Sequence, residues 1–297
     1  MNQENKIEMQ TGYLNGRFLP KDEIHISPDD RGFLFADGVY EVVRWYRGFF
    51  YDMDGHLARL KRSLGELKIE WQQVDTFPAI AEGLIKKNEL AGSPSLVYLQ
   101  VTRGAAPRTH TFPDPPVSPT VYAFAKGFKP ESAGYENGMP VMLKDDIRWS
   151  RCDIKSVALL PNTISFQEAK ENGFGECIFE KNGVITEGSH SNIFFVRNNT
   201  IYTHPVTNNI LPGITRKNAI RVALEAGLEV NETAIRVEEI ESLDEAFITN
   251  TSAEITPVTL VGNSLIGNGK PGPVTKLLTE RFRAGILEKE RLTGKTI

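Results

Sequence analysis

The sequence predicts an α+β fold. Three observations point there. Turn pairs flanked by β-rich runs recur at Asn15-Gly16, Asn182-Gly183 and Asn198-Asn199. Leucines stand at helical spacing between His56 and Leu67. Strands and helices come in blocks, without regular β-α-β alternation. The chain has 297 residues, 40% hydrophobic and 24% charged, which is enough apolar material to bury a core without metals or disulfides.

Taken in order, Gly12 to Phe18 reads as a short hairpin around Asn15-Gly16. Gly38 to Tyr46 is β-rich, with Tyr40, Val42 and Arg44 on one face and Glu41, Val43 and Trp45 on the other. Helices follow over about His56–Leu67 and Phe77–Asn88, then strands over Leu96–Arg103 and Thr120–Ala125. The stretch from Gly127 to Gly134 combines Gly, Pro and polar residues and reads as a linker. The expected organisation is a smaller domain over 1–128, a linker over 129–134 and a larger domain over 135–297. In the larger domain, Cys177–Phe179 pairs with Val184–Thr186, and Ile193–Val196 with Thr200–Thr203. A helix over about Thr215–Ala226, a strand over Glu245–Thr249 and a final helix over about Pro273–Arg291 complete the reading.

Several functional classes lack support. The net charge of −4 gives no basic surface for nucleic acid or an anionic membrane. The two cysteines, Cys152 and Cys177, sit in no CxxC or Cys/His cluster, so no zinc site is expected and a reducing compartment is. The polar start Met1-Asn2-Gln3-Glu4-Asn5 lacks the features of a signal peptide, and the expected location is the cytoplasm. No GxxxxGK[ST] or GxSxG pattern appears.

Five stretches carry candidate chemistry. Lys155 lies in the apolar run from Ile154 to Leu160. It reads either as a stem packed along the surface or as a partly desolvated amine suited to Schiff-base chemistry. Glu187 sits in the small-residue stretch Thr186-Glu187-Gly188-Ser189-His190-Ser191-Asn192, either as a turn residue or as a carboxylate held under a heterocycle. Gly213-Ile214-Thr215 opens a helix and Asn250-Thr251-Ser252-Ala253 follows a strand. Backbone N–H groups and hydroxyls there suit a phosphate, while simple capping is the commoner use. Arg108-Thr109-His110 occupies a Gly/Pro loop, as a solvated basic patch or a binding element.

Together these pieces resemble the fold type IV pyridoxal-phosphate enzymes, and within them the bacterial D-amino-acid aminotransferases. The most specific stretches are Asp37 to Arg44, Leu99 to Gly104 with Pro107 to His110, Asp146 to Ser156, Thr186 to Ser189, Leu211 to Arg216 and Thr249 to Pro257. The resemblance implies two domains with the cofactor between them. It implies that Lys155 carries pyridoxal 5′-phosphate and moves the substrate proton, and that Glu187 pairs with the pyridine nitrogen. Arg59, the backbone from Gly213 through Ile214 and Thr215, and Thr251 would hold the phosphate, with Leu211 on the ring face. Tyr40, Val42, Arg44, Arg108 and His110 would meet the substrate, Arg108 and His110 from the neighbouring subunit of a homodimer. The implied reaction moves an amino group between a D-amino acid and a 2-oxo acid such as 2-oxoglutarate or pyruvate. Branched-chain L-amino-acid or (R)-amine aminotransferase and aminodeoxychorismate lyase share the fold, and a non-enzymatic small-molecule binder is the rival from another class. The chain departs from the family pattern at His190, where a smaller hydroxyl residue is usual, at Asn250, where serine is common, and at Arg44, which replaces a lysine.

Overall fold

The computed structural model describes residues 10–129 and 136–293. The described residues group into two compact units, each with its own sheet. The first holds 10–129, Ile154–Ala158 and 290–293; the second holds 136–153 and Leu159–Lys289. The expectation of one unbroken domain over 135–297 is corrected here, because Ile154–Ala158 belongs with the first unit. The reason is backbone pairing. Tyr40 N–H donates to Lys155 O at 3.0 Å, Val157 N–H donates to Gly38 O at 3.1 Å, and Val39 bridges Ser156. Residues 130–134 of the candidate linker lie outside the described residues.

In the first unit, six antiparallel strands run in the order β2-β1-β6-β5-β3-β4. They are β1 (Thr11–Leu14), β2 (Arg17–Pro20), β3 (Gly38–Tyr46), β4 (Phe49–Phe50), β5 (Ser95–Thr102) and β6 (Thr120–Gly127). The first hairpin turns at Asn15 and Gly16, both with positive φ (45° and 92°), the conformation that makes Asn-Gly a hairpin pair. Val39, Val43, Val97, Leu99, Val101, Val121, Ala123 and Ala125 form the buried face of the sheet. They join a core with the apolar sides of α2 (Met53–Glu66) and α3 (Phe77–Lys87). The short helix α1 (Arg31–Phe35) precedes them, capped by the Asp30 carboxylate on Gly32 N–H. Helix α2 begins three residues before the predicted start, because Asp52 accepts Gly55 N–H and caps it.

In the second unit, a mixed sheet runs in the order β12-β11-β10-β13-β14-β7-β8-β9, with β15 paired to β14. Its strands are β7 (Met139–Asp145), β8 (Glu176–Lys181), β9 (Val184–Gly188), β10 (Asn192–Arg197), β11 (Thr200–Thr203), β12 (Glu229–Asn231), β13 (Glu245–Asn250), β14 (Glu254–Val261) and β15 (Ser264–Leu265). Helices α4 (Leu160–Glu171), α5 (Ile214–Glu225) and, as far as Lys289, α6 (Pro273–Thr293) accompany them. Sequence reading missed α4. It buries only Ser165 and Ala169 and exposes Leu160 and Ile164, so it carries no apolar stripe to reveal it.

One residue breaks the apolar face of the first sheet. Glu41 lies between Val39 and Val43, fully buried. Arg59 of α2 grips it with both arms of its fork, Nε to Oε1 at 2.7 Å and Nη2 to Oε2 at 2.8 Å. His56 adds a bond from Nδ1 to Oε2 at 2.7 Å. The carboxylate can only accept, so Nδ1 carries the proton. Burial raises the Glu41 pKa, but Arg59 foremost, with His56, outweighs it and holds the group at about 2. A depressed carboxyl stabilises the fold above its ordinary pKa of 4.5 and loses that contribution as pH falls through the folded value. Glu41 should therefore contribute on the order of 3 kcal/mol near neutral pH, and lose it between about pH 4.5 and about pH 2. Urea midpoints measured across that range should fall for the wild type. In Glu41→Gln the protein should be weaker at neutral pH, with that part of the acid-dependent slope gone.

Candidate active site

Lys155 is half-buried between buried Ile154 and Ser156. Its backbone is pinned on both sides: its carbonyl accepts Tyr40 N–H, and its own N–H donates to Ser63 Oγ at 3.3 Å. Its Nζ stands 4.3 Å from the centre of the Tyr40 ring. That ring stacks on Tyr98 at 5.6 Å, and the Tyr98 hydroxyl donates to Gln100 Oε1 at 2.7 Å. Burial pushes the Tyr98 hydroxyl well above the usual phenol range, so it remains a donor. Tyr40, Val42, Tyr98, Gln100 and Tyr122 share the sheet face opposite the core. Arg44 shares that face as predicted, but its guanidinium lies over the rings of Tyr46 (4.3 Å) and Phe128 (4.9 Å) rather than over Tyr40. Arg59 stands on α2, committing two of its five donors to Glu41.

In the second unit, Glu187 ends its side chain in a fully enclosed pocket of donors. Arg148 Nη1 donates to Oε1 at 2.5 Å, while Asn192 Nδ2 (3.0 Å) and Leu211 N–H (2.9 Å) donate to Oε2. Arg148 is itself locked by Asp146 through Nε and Nη2 and by the Asn209 carbonyl. Burial pushes the Glu187 carboxyl up to about 7, against the opposing pull of Arg148 and the Leu211 N–H. A carboxylate has about four lone-pair positions, so three donors leave one for a further cationic N–H.

Leu211 and Gly213 precede α5. No side chain caps that helix, and Ile214 and Thr215 form its first turn, both buried. Gly213 has an ordinary φ of −64°, so its role is space. A Cβ there would lie 2.0 Å from Asn192 Oδ1. Thr251 follows β13 in a turn that Asn250 organises, its Oδ1 accepting Ser252 N–H (3.0 Å), Ser252 Oγ–H (3.1 Å) and Ala253 N–H (2.6 Å). Asparagine fits this turn because its amide oxygen serves several donors at once. The Thr249 hydroxyl beside it is buried with no partner among the described residues. The unusual His190 packs edge-on against Phe166 at 4.7 Å and faces the buried Glu176 at 3.0 Å.

Arg108 and His110 are exposed on the loop between β5 and β6. Both rest on Phe35 of α1, Arg108 at 5.0 Å and His110 at 5.6 Å from the ring centre. Among the described residues, the Arg108 guanidinium makes no hydrogen bond or ion pair.

Residues 38–261 match the family described as Amino-transferase class IV. The chain is 39% identical to a D-alanine aminotransferase of Bacillus licheniformis over 286 residues, covering 96% of this chain and 99% of the relative. It is 38% identical to a D-alanine aminotransferase of Staphylococcus haemolyticus over 271 residues, covering 91% and 95%. The chain belongs to the class IV aminotransferases. Among solved structures, a branched-chain amino acid aminotransferase of Escherichia coli superposes with a TM-score of 0.86 at 26% identity, covering 93% of this chain and 94% of that one. The fold is also that of a branched-chain amino acid aminotransferase of Thermobaculum terrenum in its PLP form, with a TM-score of 0.82 at 23% identity, covering 94% of each chain.

The fold class is thus that of the class IV aminotransferases, and the enzymes of this class use pyridoxal phosphate. The residues present fit that cofactor. A buried carboxylate with an acceptor position left suits a protonated pyridine nitrogen. An uncapped helix start beside a glycine that tolerates no Cβ suits a phosphate. Arg148 and Asn192, which orient the carboxylate, escaped sequence reading. Both stood in or beside the motifs that carried the resemblance, but only the fold shows that they converge on Glu187. The Gly213 contact gives a direct check. Gly213→Ala keeps the backbone conformation but forces Asn192 aside, and overpacking of this kind costs about 1–3 kcal/mol. Cofactor affinity of the variant, titrated by absorbance, should fall by roughly tenfold or more, and the melting temperature of the cofactor-free protein should fall by a few degrees.

Proposed function

We propose that the protein transfers the amino group of a D-amino acid to a 2-oxo acid, acting as a cytoplasmic homodimer. The observation that carries this reading is the 38–39% identity to D-alanine aminotransferases over more than nine-tenths of the chain. The exposed Arg108–His110 pair supplies the matching chemistry.

Pyridoxal phosphate, when bound, supplies the carbonyl that condenses with the donor's amine and the ring that takes up electrons released at Cα. Lys155 is the residue that carries the cofactor, and its freed Nζ takes the proton from the donor's Cα. Pinned backbone on both sides of Lys155 limits where that proton can be taken, which confines the reaction to one face of Cα. Glu187 holds the proton on the pyridine nitrogen. Arg148, Asn192 and the Leu211 N–H keep the carboxylate aimed, so no reorientation is needed during the reaction. The first turn of α5, with Thr251 and Arg59, holds the phosphate, and the helix dipole adds to the attraction. Arg108, seconded by His110 and Tyr40, grips the donor's carboxylate. A guanidinium offers a bidentate fit to that group. Arg108 and His110 serve the active site of the partner subunit, which explains why both stand exposed on their own.

Lys155 has a clean test. Borohydride should fix the pyridoxyl group to Lys155, as read by peptide mass spectrometry, and Lys155→Ala should abolish transamination. Attachment at another lysine would end the assignment.

The donor side is tested by a screen of both enantiomers. D-Alanine or D-glutamate should be clearly preferred to L-leucine, and (R)-1-phenylethylamine, which has no carboxylate, should be a weak donor. Arg108→Ala should raise the KM for D-alanine roughly 10- to 100-fold, the cost of losing a charge-assisted pair, while affecting the amine far less. A wild-type preference for L-leucine would move the protein to the branched-chain group, whose solved structures share this fold.

A further inference from the structure

The loop that carries Arg108 and His110 has no regular structure of its own, yet it is tied down from beneath. Asp37, just before β3, binds two buried arginines at once. Its Oδ2 accepts from Arg31 Nε at 2.8 Å and from Arg103 Nε at 2.7 Å, and its Oδ1 accepts from Arg103 Nη2 at 2.9 Å. Burial raises the Asp37 pKa, but Arg103 and Arg31 outweigh it and keep the carboxyl below the usual range. Each arginine then reaches a different part of the loop. Arg31 Nη1 donates to the carbonyl of Thr109 at 2.8 Å. Thr109 lies between Arg108 and His110, so this bond fixes the peptide that joins the two substrate-facing residues. Arg103 lies 3.6 Å over the ring of Phe112, two residues beyond His110. Its other donors take the Lys68 carbonyl (3.0 Å) and the Leu67 carbonyl (2.7 Å), anchoring the group to the end of α2.

Backbone contacts close the same unit. Arg31 N–H donates to Gly104 O, Arg103 N–H donates to Asp37 O, and Ala106 N–H donates to Asp29 O. Gly104 turns the chain with φ of +98°, and a Cβ there would lie 2.0 Å from the Ser118 carbonyl at the far end of the loop. Phe35 completes the arrangement. Arg31 packs over its ring at 4.6 Å, on the same ring that supports Arg108 and His110.

We infer that Arg31, Asp37 and Arg103 are positioning residues that fix the Arg108–His110 loop and, through it, set the affinity for the carboxylate of the amino donor. The inference rests on the carboxylate-binding role of Arg108 and His110. Lysine at position 31 could keep the charge beside Asp37. It has one ammonium in place of a fork, so it cannot bind Asp37 and the Thr109 carbonyl in the same way. A loop held less firmly pays an ordering cost each time a carboxylate binds. That cost falls on KM for carboxylate donors and spares the proton transfer at Cα.

The test uses the cofactor-loaded dimer. Arg31→Lys should raise the KM for D-alanine about tenfold, with kcat and the visible spectrum of the bound cofactor nearly unchanged and the KM for (R)-1-phenylethylamine unmoved. Phe112→Leu removes only an exposed ring, so it should fold normally. It should raise the D-alanine KM about threefold. In an Arg108→Ala background, Arg31→Lys should add far less, because most of its effect passes through Arg108. An unchanged D-alanine KM in both single variants, or equal losses for both donors, overturns the inference. So does an Arg31→Lys effect that persists in full without Arg108. If Arg108→Ala alone leaves the D-alanine KM unchanged, the carboxylate reading itself fails, and this inference falls with it.

Discussion

A carboxylate taken out of water must be given donors, or it will not stay ionised and will not stay buried. This chain buries several, and much of its detailed architecture consists of the donors they require. Glu41 is answered by Arg59 and His56, which fastens α2 across β3. Asp37 is answered by Arg31 and Arg103, which fastens the β5–β6 loop. Glu187 is answered by Arg148, Asn192 and the Leu211 N–H. Glu245 is answered by the N–H groups of Val274 and Thr275 and the Thr275 hydroxyl, which fixes the start of α6. Each answer joins segments far apart in sequence. A hydrophobic contact would bring the same segments together, but it is not directional. The carboxylate fixes the angle of approach as well, and that matters where a helix start or a loop must face a ligand.

The carboxylates differ in how completely the donors offset burial. Arginine and histidine win at Glu41, which is held at about 2. At Glu187 burial wins, and the carboxyl lies near 7 despite Arg148. A carboxylate in that condition gains most from one more cationic partner. A protonated pyridine nitrogen would be such a partner, and its binding would pull the carboxyl back to the ionised form that the chemistry needs. The Arg148–Asp146 pair matters here because it divides the guanidinium between two acids. Arg148 orients Glu187 without neutralising it fully.

Most elements were legible in the sequence because their signals are local. Asn15-Gly16, Asn182-Gly183 and Asn198-Asn199 take positive φ and turn the chain where predicted. Strand β3 has the predicted bounds, Gly38–Tyr46. Helix α4 was silent because so little of it is buried. The site divides in the same way. Lys155 and Glu187 drew attention because an amine in an apolar run and an acid in a small-residue stretch are odd where they stand, and the resemblance gave them their proposed roles. Arg148 and Asn192 look ordinary in the chain, and their importance lies in a convergence that only the fold creates. For Arg44 the strand period showed the face but not the contacts. Its face was foreseen, but Tyr46 and Phe128 hold its guanidinium over their rings.

The two ends of the proposed chemistry are built by different means, and the difference follows from what each must do. Lys155 must reach, so its side chain is left long while the backbone beneath it is pinned by Tyr40 and Ser63. Glu187 must not move, so the constraint is placed on the carboxylate itself, with donors on both oxygens. Arg108 needs a third solution. In the proposed reaction it would meet a carboxylate that comes and goes, and no protein acid is spent on it among the described residues. Its support comes instead from a ring that attracts a cation without neutralising it, and from a neighbouring peptide held by Arg31. An ion pair in place of Phe35 would hold Arg108 more firmly, but it would also compete with the substrate for the same donors.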